Sequence, residues 1–158
     1  MKKICFVLLC CFALFCACNK TDTVPTGCVP VTDTAPPAEV AALQAYISSK
    51  GITALADGRG FFYAISKPGS DIKPTSCSNI KVTYTLRLSN GAEVEAGNGV
   101  SFNLGGLING WREGIPLIGE GGSIVLYLPP SLGYGAQASG NVPANSILVF
   151  YIDLLDVG

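Results

Sequence analysis

The clearest alternation of apolar and polar residues lies at positions 80–88, where every second residue is apolar: Ile80, Val82, Tyr84, Leu86 and Leu88. A period of two residues is typical of a strand that buries one face. Asn90 and Gly91 follow directly, and this dipeptide favours a tight hairpin turn. The pattern therefore predicts a strand over 80–88 and a return strand over 92–96.

Shorter apolar runs predict four further strands, at residues 60–65, 100–104, 122–128 and 147–155. Lys67-Pro68-Gly69 ends the first of them, because proline and glycine interrupt a strand. Several antiparallel strands combined with little helix predict an α+β domain.

A helical period occupies residues 37–50, where Val40, Leu43, Tyr46 and Ile47 recur at spacings of three and four. Gly51 is suited to end such a helix. The apolar face predicts that the helix docks on the main domain. A dimerisation helix is the alternative, although a single short helix seldom forms a stable interface alone.

The only tryptophan, Trp111, lies in a glycine-rich stretch at residues 104–114. Asn109 is suited to cap a helix, and Pro116 interrupts that helix after about one turn. A lone tryptophan is more often a core residue than a site residue. Tyr134, flanked by Gly133 and Gly135 in a loop, is harder to explain as core and favours a functional role.

The N-terminus has the pattern of a secretion signal. Lys2 and Lys3 precede an apolar run at residues 4–17, which is shorter than the roughly 20 residues of a membrane-spanning helix. The run ends in Phe-Cys-Ala-Cys and resembles a bacterial lipobox, so we predict a signal peptide at 1–17 and lipidation of Cys18. Cys16 is the poorer candidate because the bulky Phe15 precedes it.

Asn19 after the lipidated cysteine resembles the pattern of lipoproteins sent to the outer membrane. We therefore expect a lipid-anchored protein of the bacterial cell envelope, on its periplasmic or surface face. Residues 18–36 are rich in Thr, Pro, Val and Asp without an apolar period, which predicts a flexible tether.

Composition narrows the chemistry. The 158 residues contain no histidine, which excludes a Ser-His-Asp triad, a Cys-His pair and histidine-containing metal sites. A net charge of −1 gives no basis for nucleic-acid binding, and we expect no metal or cofactor. Beyond the anchor only Cys28 and Cys77 remain, and an oxidising compartment favours a disulfide between them. Two unrelated thiols are the alternative.

Four motifs occur in a characteristic order: Val-Thr-Tyr-Thr at 82–85, Gly-Trp-Arg-Glu-Gly at 110–114, Leu-Pro-Pro-Ser-Leu-Gly-Tyr-Gly at 128–135 and Leu-Val-Phe-Tyr-Ile-Asp-Leu-Leu at 148–155. Together they resemble the FKBP-type peptidyl-prolyl isomerases, the macrolide-binding family. The resemblance covers roughly residues 60–157. It implies an isomerase domain at 60–158, preceded by a helical extension at 37–59.

The resemblance implies an FKBP-like antiparallel sheet curled around a short central helix, with an apolar pocket between them. A substrate proline would lie over Trp111, while the Tyr134 hydroxyl and the Ile108 N–H would act as donors. Glu95 stands where the family usually has an aspartate. The rest of the implied pocket wall consists of Tyr84, Val94, Val100, Phe102, Leu107, Val142 and Phe150.

Val94 and Val100 replace residues that are usually aromatic, and Glu95 is one methylene longer than aspartate. These departures predict a roomier pocket, reduced activity and weaker macrolide binding, and Val94→Phe should raise activity if that wall limits it. The implied function is isomerisation of X-Pro bonds in extracytoplasmic clients. The alternatives are a catalytically weak binding module or chaperone for apolar segments, and a purely structural envelope lipoprotein.

Overall fold

A computed structural model describes residues 31–158. These residues form two α-helices and six strands: α1 (Pro37–Ser49), β1 (Leu55–Ala56), β2 (Phe62–Lys67), β3 (Asn79–Leu88), β4 (Glu93–Asn103), α2 (Asn109–Gly114), β5 (Ser123–Leu128) and β6 (Leu148–Val157). Short 3₁₀ helices lie at Leu104–Gly106, Ile115–Leu117 and Pro130–Leu132. The strands make one antiparallel sheet in the order β1-β2-β5-β6-β3-β4. The predicted α+β class is confirmed.

The prediction of two separate strands at 92–96 and 100–104 was wrong, because both belong to the single strand β4. Between Val82 and Tyr84 of β3, the facing residues change from Val100 to Gly97, so two residues of β4, Asn98 and Gly99, oppose the single residue Thr83 of β3. This β-bulge accommodates the polar Asn98-Gly99 pair without ending the strand. The hydroxyl of Thr83 accepts from the Gly99 N–H at 3.2 Å and donates to Asn98 at 3.0 Å.

The inner face of the sheet packs around α2. Alternate residues of β3, β5 and β6 are buried there in one cluster with Trp111. Gly110 and Gly114, one helical turn apart, lie against β5: a Cβ on Gly110 would come 2.3 Å from Leu128, and one on Gly114 would come 2.6 Å from Leu126. The two glycines therefore let the helix backbone approach the sheet more closely than any side chain would permit.

The outer face of the sheet is partly covered by α1. Leu43 and Ile47 of α1 are buried against Phe62, Tyr127 and Val149 of the strands below. The docking predicted for this helix is confirmed. Because α1 covers one face of β5 and α2 the other, all residues of that strand after Ser123 are apolar.

The start of α2 differs from the prediction. Asn109 is the first residue of the helix rather than its cap, and the capping position is held by Ile108 in an extended conformation. The Asn109 side chain instead contacts Asp33, to which its amide donates a hydrogen bond.

Residues 18–30 of the predicted flexible tether (18–36) lie outside the described residues, and the last residues of the tether contact the domain. The N–H of Ala35 donates to the Arg59 carbonyl at 2.9 Å, and Asp33 receives the Asn109 side chain. The last residues of the segment are therefore fixed to the domain, although their composition is that of a linker.

The signal peptide at 1–17 and the predicted lipidation of Cys18 lie outside the described residues. Cys77 is disulfide-bonded, and its partner also lies outside them, so the pairing with Cys28 stays a prediction. None of the helices between residues 31 and 158 is long and apolar enough to cross a membrane.

Candidate active site

A cavity of about 120 Å³ opens between α2, the bulged strand β4 and the loop that follows Pro130–Leu132. Its wall contains eight of the residues that the sequence singled out: Tyr84, Glu95, Phe102, Leu107, Ile108, Trp111, Tyr134 and Phe150. They come from three strands, one helix and two loops, so only the folded chain brings them together.

Trp111 forms the centre of an aromatic cluster. Its indole is almost perpendicular to the rings of Tyr84 and Phe150, both at 5.2 Å between centroids, and to that of Phe102 at 6.0 Å. Edge-to-face pairs of this kind each add roughly 0.5–1.5 kcal/mol beyond the burial of their area. The rings therefore fix the indole, which is only 4% exposed. Its N–H is buried and has no hydrogen-bond partner among residues 31–158.

Tyr84 is held in place from β4. Its hydroxyl donates to the carboxylate of Glu95, so the longer glutamate side chain still reaches the tyrosine. Gly97 lies opposite Tyr84 in the sheet, and a Cβ there would come 2.5 Å from the tyrosine ring. Burial and the nearby Glu95 carboxylate raise the pKa of Tyr84, so its hydroxyl stays protonated at neutral pH.

Tyr134 lies in a loop that is fixed by backbone hydrogen bonds. The N–H of Gly135 donates to the carbonyl of Pro130 at 2.8 Å, and the carbonyl of Gly135 accepts from Asn145 at 2.8 Å. Burial and then the Glu95 charge raise the pKa of Tyr134. The half-buried phenol is therefore a neutral donor on the cavity wall.

Ile108 has the extended backbone that precedes α2, with φ −59° and ψ 150°. Its carbonyl accepts from the N–H groups of Trp111 and Arg112, while its own N–H has no acceptor within residues 31–158. Because an unpaired backbone donor on an apolar wall favours an incoming acceptor, this N–H is available to a ligand carbonyl.

Three residues of the implied wall do not line this cavity: Val94, Val100 and Val142. Val94 and Val142 pack against the inner core, where Val142 is only 3% exposed. Val100 pairs with Val82 beyond the bulge. The β-bulge changes which β4 side chains reach the cavity, and residue spacing alone does not reveal such a change.

Sequence reasoning missed Glu113, the one charged side chain among the described residues that is buried. Neither of its carboxylate oxygens has a hydrogen-bond partner in that part of the chain, and Arg59 Nε lies 3.9 Å from Oε2. Burial raises the pKa of Glu113 to about 7. The available signal was its position in α2, since Glu113 and Gly110 lie three residues apart and therefore both lie on the side of the helix that faces the domain.

Within residues 31–158 there is no group of three or more acidic, cysteine or histidine side chains that could hold a metal ion. The chemical resources of the cavity are thus apolar aromatic surface, two neutral phenols, one backbone N–H and the Glu95 carboxylate.

Curated relatives of this chain share more than a third of their aligned residues with it. A probable FKBP-type peptidyl-prolyl cis-trans isomerase of Haemophilus influenzae is 41% identical over 103 residues, which is 62% of this chain and 43% of the relative. The FKBP-type peptidyl-prolyl cis-trans isomerase FkpA of Buchnera aphidicola is 38% identical over 121 residues, 73% of this chain and 47% of the relative. The chain spans less than half the length of these relatives.

Solved structures agree with this relationship. The crystal structure of FkpA from Escherichia coli superimposes with a TM-score of 0.69 at 32% identity, covering 76% of this chain and 59% of that chain. A peptidyl-prolyl cis-trans isomerase from Pseudomonas syringae has a TM-score of 0.67 at 24% identity, covering 81% of this chain and 99% of the other, and supports the fold alone.

Residues 70–155, more than half of the chain, match the family described as FKBP-type peptidyl-prolyl cis-trans isomerase. The match includes the strands β3 to β5, the helix α2, the Tyr134 loop and most of β6. By this match and by its fold, the chain belongs to the FKBP-type peptidyl-prolyl cis-trans isomerase family.

Proposed function

We propose that this protein accelerates cis-trans rotation about X-Pro bonds in polypeptide clients. The observation that carries the proposal is the arrangement of Trp111, Tyr134 and the Ile108 N–H around one small apolar cavity in a member of this family. The cavity provides apolar surface for a ring together with two neutral donors, and the reaction calls for such groups.

Isomerisation of an X-Pro bond breaks no covalent bond, and its barrier is that of rotation about the amide. Amide resonance gives rotation a barrier of about 18–20 kcal/mol, and uncatalysed X-Pro exchange takes tens to hundreds of seconds. Water stabilises the planar, charge-separated amide better than the twisted one. A site that excludes water and fits the twisted amide therefore lowers the barrier, by about 1.36 kcal/mol for each tenfold in rate.

Each wall element has a proposed part in this reaction. The proline ring lies on Trp111, with Phe102, Phe150 and Leu107 around it. The Ile108 N–H holds the carbonyl of a neighbouring substrate residue, and the Tyr134 hydroxyl donates to a second carbonyl. Glu95 acts through Tyr84. Its carboxylate accepts a hydrogen bond from the Tyr84 hydroxyl and so fixes the aromatic wall.

The experiment is exchange spectroscopy by NMR on an X-Pro peptide, with the parent chain and two variants. Trp111→Leu removes the ring platform and Tyr134→Phe removes only one donor, so we expect a large loss in the first and a smaller loss in the second. Gly106→Ala is the matched control, because a Cβ at that exposed position would meet no atom within 4 Å. Exchange that the folded parent does not accelerate would contradict the proposal and leave a binding module or chaperone, which a proline-free client would then test.

We propose that the protein works at the bacterial cell envelope, tethered by a lipid on Cys18 after removal of residues 1–17. The apolar run, the Cys-Ala-Cys sequence and the Thr- and Pro-rich stretch support this setting. The proposed organisation continues with a helical extension at 37–59 and the isomerase domain at 60–158. Labelled palmitate incorporated by the parent and not by Cys18→Ser would support the anchor, while equal labelling would contradict it.

Macrolides are the proposed inhibitors, because they are the ligands of the family and would compete for the same aromatic cavity. The weaker macrolide binding that was expected because Val94 and Val100 replace aromatic residues requires both valines to contact the macrolide. Since neither lines the cavity, the present geometry favours binding through the Trp111 cluster instead.

A further inference from the structure

The two side chains at the centre of the proposed site lie on separate segments, and one short stretch of chain contacts both of these segments. This stretch, residues 33–39, is named the N-terminal arm. It lies before residue 70, where the family match begins, so no part of the matched region corresponds to it.

At its first residue the arm contacts the start of α2. The Asn109 amide donates to the Asp33 carboxylate, and Asn109 Oδ1 accepts from Arg112 at 3.4 Å. Asn109 is therefore held from outside the helix as well as from within it. Trp111 follows two residues later, so the position of the indole depends on where this first turn lies.

At its last residue the arm contacts the Tyr134 segment. The Glu39 carboxylate accepts from the Ser131 N–H at 2.8 Å. Ser131 belongs to the 3₁₀ helix Pro130–Leu132, whose early N–H groups have no partner within the helix, so the carboxylate caps it. Tyr134 follows three residues later.

Between these contacts the arm is fixed to the turn that joins β1 to β2. The Ala35 N–H donates to the Arg59 carbonyl at 2.9 Å. A Cβ on Gly60 would come 2.9 Å from the Ala35 methyl and 2.8 Å from Val40, so the arm lies directly on this turn. With its middle held, the two ends of the arm have a fixed separation.

We propose that Asp33 and Glu39 are positioning residues, which set the Trp111 helix and the Tyr134 loop at the separation that catalysis requires. The proposal rests on the proposed isomerase function. Neither side chain touches the cavity, and both act through the segments that carry its wall.

The test uses the full chain with paired variants at each position. Asp33→Ala and Glu39→Ala remove the acceptor oxygen, whereas Asp33→Asn and Glu39→Gln keep one. We expect the double alanine variant to lose on the order of tenfold in maximal exchange rate, with a smaller change in peptide affinity, because small misplacements of catalytic groups cost rate. The amide variants should restore most of the loss.

The matched control is Gln44→Ala, a residue of α1 whose amide donates to Ser48 within the helix. If the double variant does not fold, the single alanine variants at these accessible positions replace it. An unchanged rate in folded alanine variants would overturn the proposal. Equal losses in the alanine and amide variants would also overturn it, because the acceptor oxygens would then not be the cause.

A second readout does not depend on catalysis. The indole N–H of Trp111 gives a single resonance, and the backbone amides of Ser131 and Tyr134 report on the other segment. We expect these three signals to shift in the alanine variants and to return in the amide variants. If they do so while the parent fails to accelerate exchange, the proposed function fails and the structural link stands; if they remain in place, the link itself is refuted.

Discussion

The buried carboxyl of Glu113 should make the free energy of unfolding depend on pH. Glu113 belongs to α2 and is only 3% exposed, and its carboxylate oxygens have no hydrogen-bond partner in residues 31–158. Burial is the largest influence on the pKa of Glu113, which is raised from 4.5 to about 7. The positive charges of Arg59 and Arg112 lower this pKa, whereas the negative charges of Asp57 and Asp33 raise it. Replacing the carboxyl by the neutral amide in Glu113→Gln should remove the cost of charging it.

The direction of the pH effect on stability depends on whether the folded or the unfolded state holds the Glu113 proton more tightly. Because the folded state keeps the Glu113 proton up to about pH 7 and the unfolded state only to about 4.5, unfolding becomes easier as the pH rises between these values. A pKa rise of about 2.5 corresponds to about 3 kcal/mol at 1.36 kcal/mol for each unit. The penalty is absent well below pH 4.5 and complete well above pH 7.

The assay is urea unfolding followed by Trp111 fluorescence, at about pH 4 and about pH 8.5, for the parent and for Glu113→Gln. The parent should be similar to the variant at the lower pH and less stable than it by about 3 kcal/mol at the higher pH. Glu93→Gln is the matched control, since Glu93 is an exposed partner of Arg87. Parallel stability profiles for the parent and Glu113→Gln would refute the reasoning.

Three further predictions concern the fold and the cavity wall. Gly110→Ala should destabilise the protein by roughly 1–3 kcal/mol in urea unfolding, because its Cβ would come 2.3 Å from Leu128, whereas Gly106→Ala should have little effect; equal effects would contradict the close helix–sheet contact. Leu43→Ala should cost roughly 2–5 kcal/mol by emptying the contact between α1 and the sheet, and a loss below about 0.5 kcal/mol would mean that α1 is not docked. Val94→Phe should leave the exchange rate unchanged, because Val94 does not line the cavity, and a clear gain by NMR exchange would place it at the site after all.

Much of the fold could be predicted because its signals are local. The alternation from Ile80 to Leu88 and the Asn90-Gly91 turn depend on neighbouring residues, and β3 and the turn occur where these signals place them. The apolar face of residues 37–50 likewise predicted a docked helix. The short strand β1 could not be predicted, because two residues are too few to show an alternation of apolar and polar positions.

The remaining features depend on contacts between distant parts of the chain. A break in alternation at Asn98 and Gly99 suggested two strands, and only pairing with β3 turns it into a bulge. That bulge in turn places Glu95 and Phe102, which are an odd number of residues apart, on the same inner face of β4, where both line the cavity.

The arm and the buried acid were missed for a related reason. Asp33 lies in a stretch that reads as a linker, and its contact with Asn109 joins residues 76 positions apart. Glu39 resembles an ordinary acidic residue in the first turn of a helix, yet it caps a segment 92 positions away. Neither contact has a signal within a sequence window.

The most direct test of the central claim follows the indole N–H resonance of Trp111 while an X-Pro peptide is added to the ¹⁵N-labelled chain. Because this is the only tryptophan and its N–H is buried among three aromatic rings, the signal reports on the proposed platform alone. A saturable shift with the proline peptide, absent with the same peptide carrying alanine in place of proline, is the predicted result. An indole signal that stays in place while the peptide exchanges rapidly would contradict the account, because catalysis would then occur elsewhere on the protein.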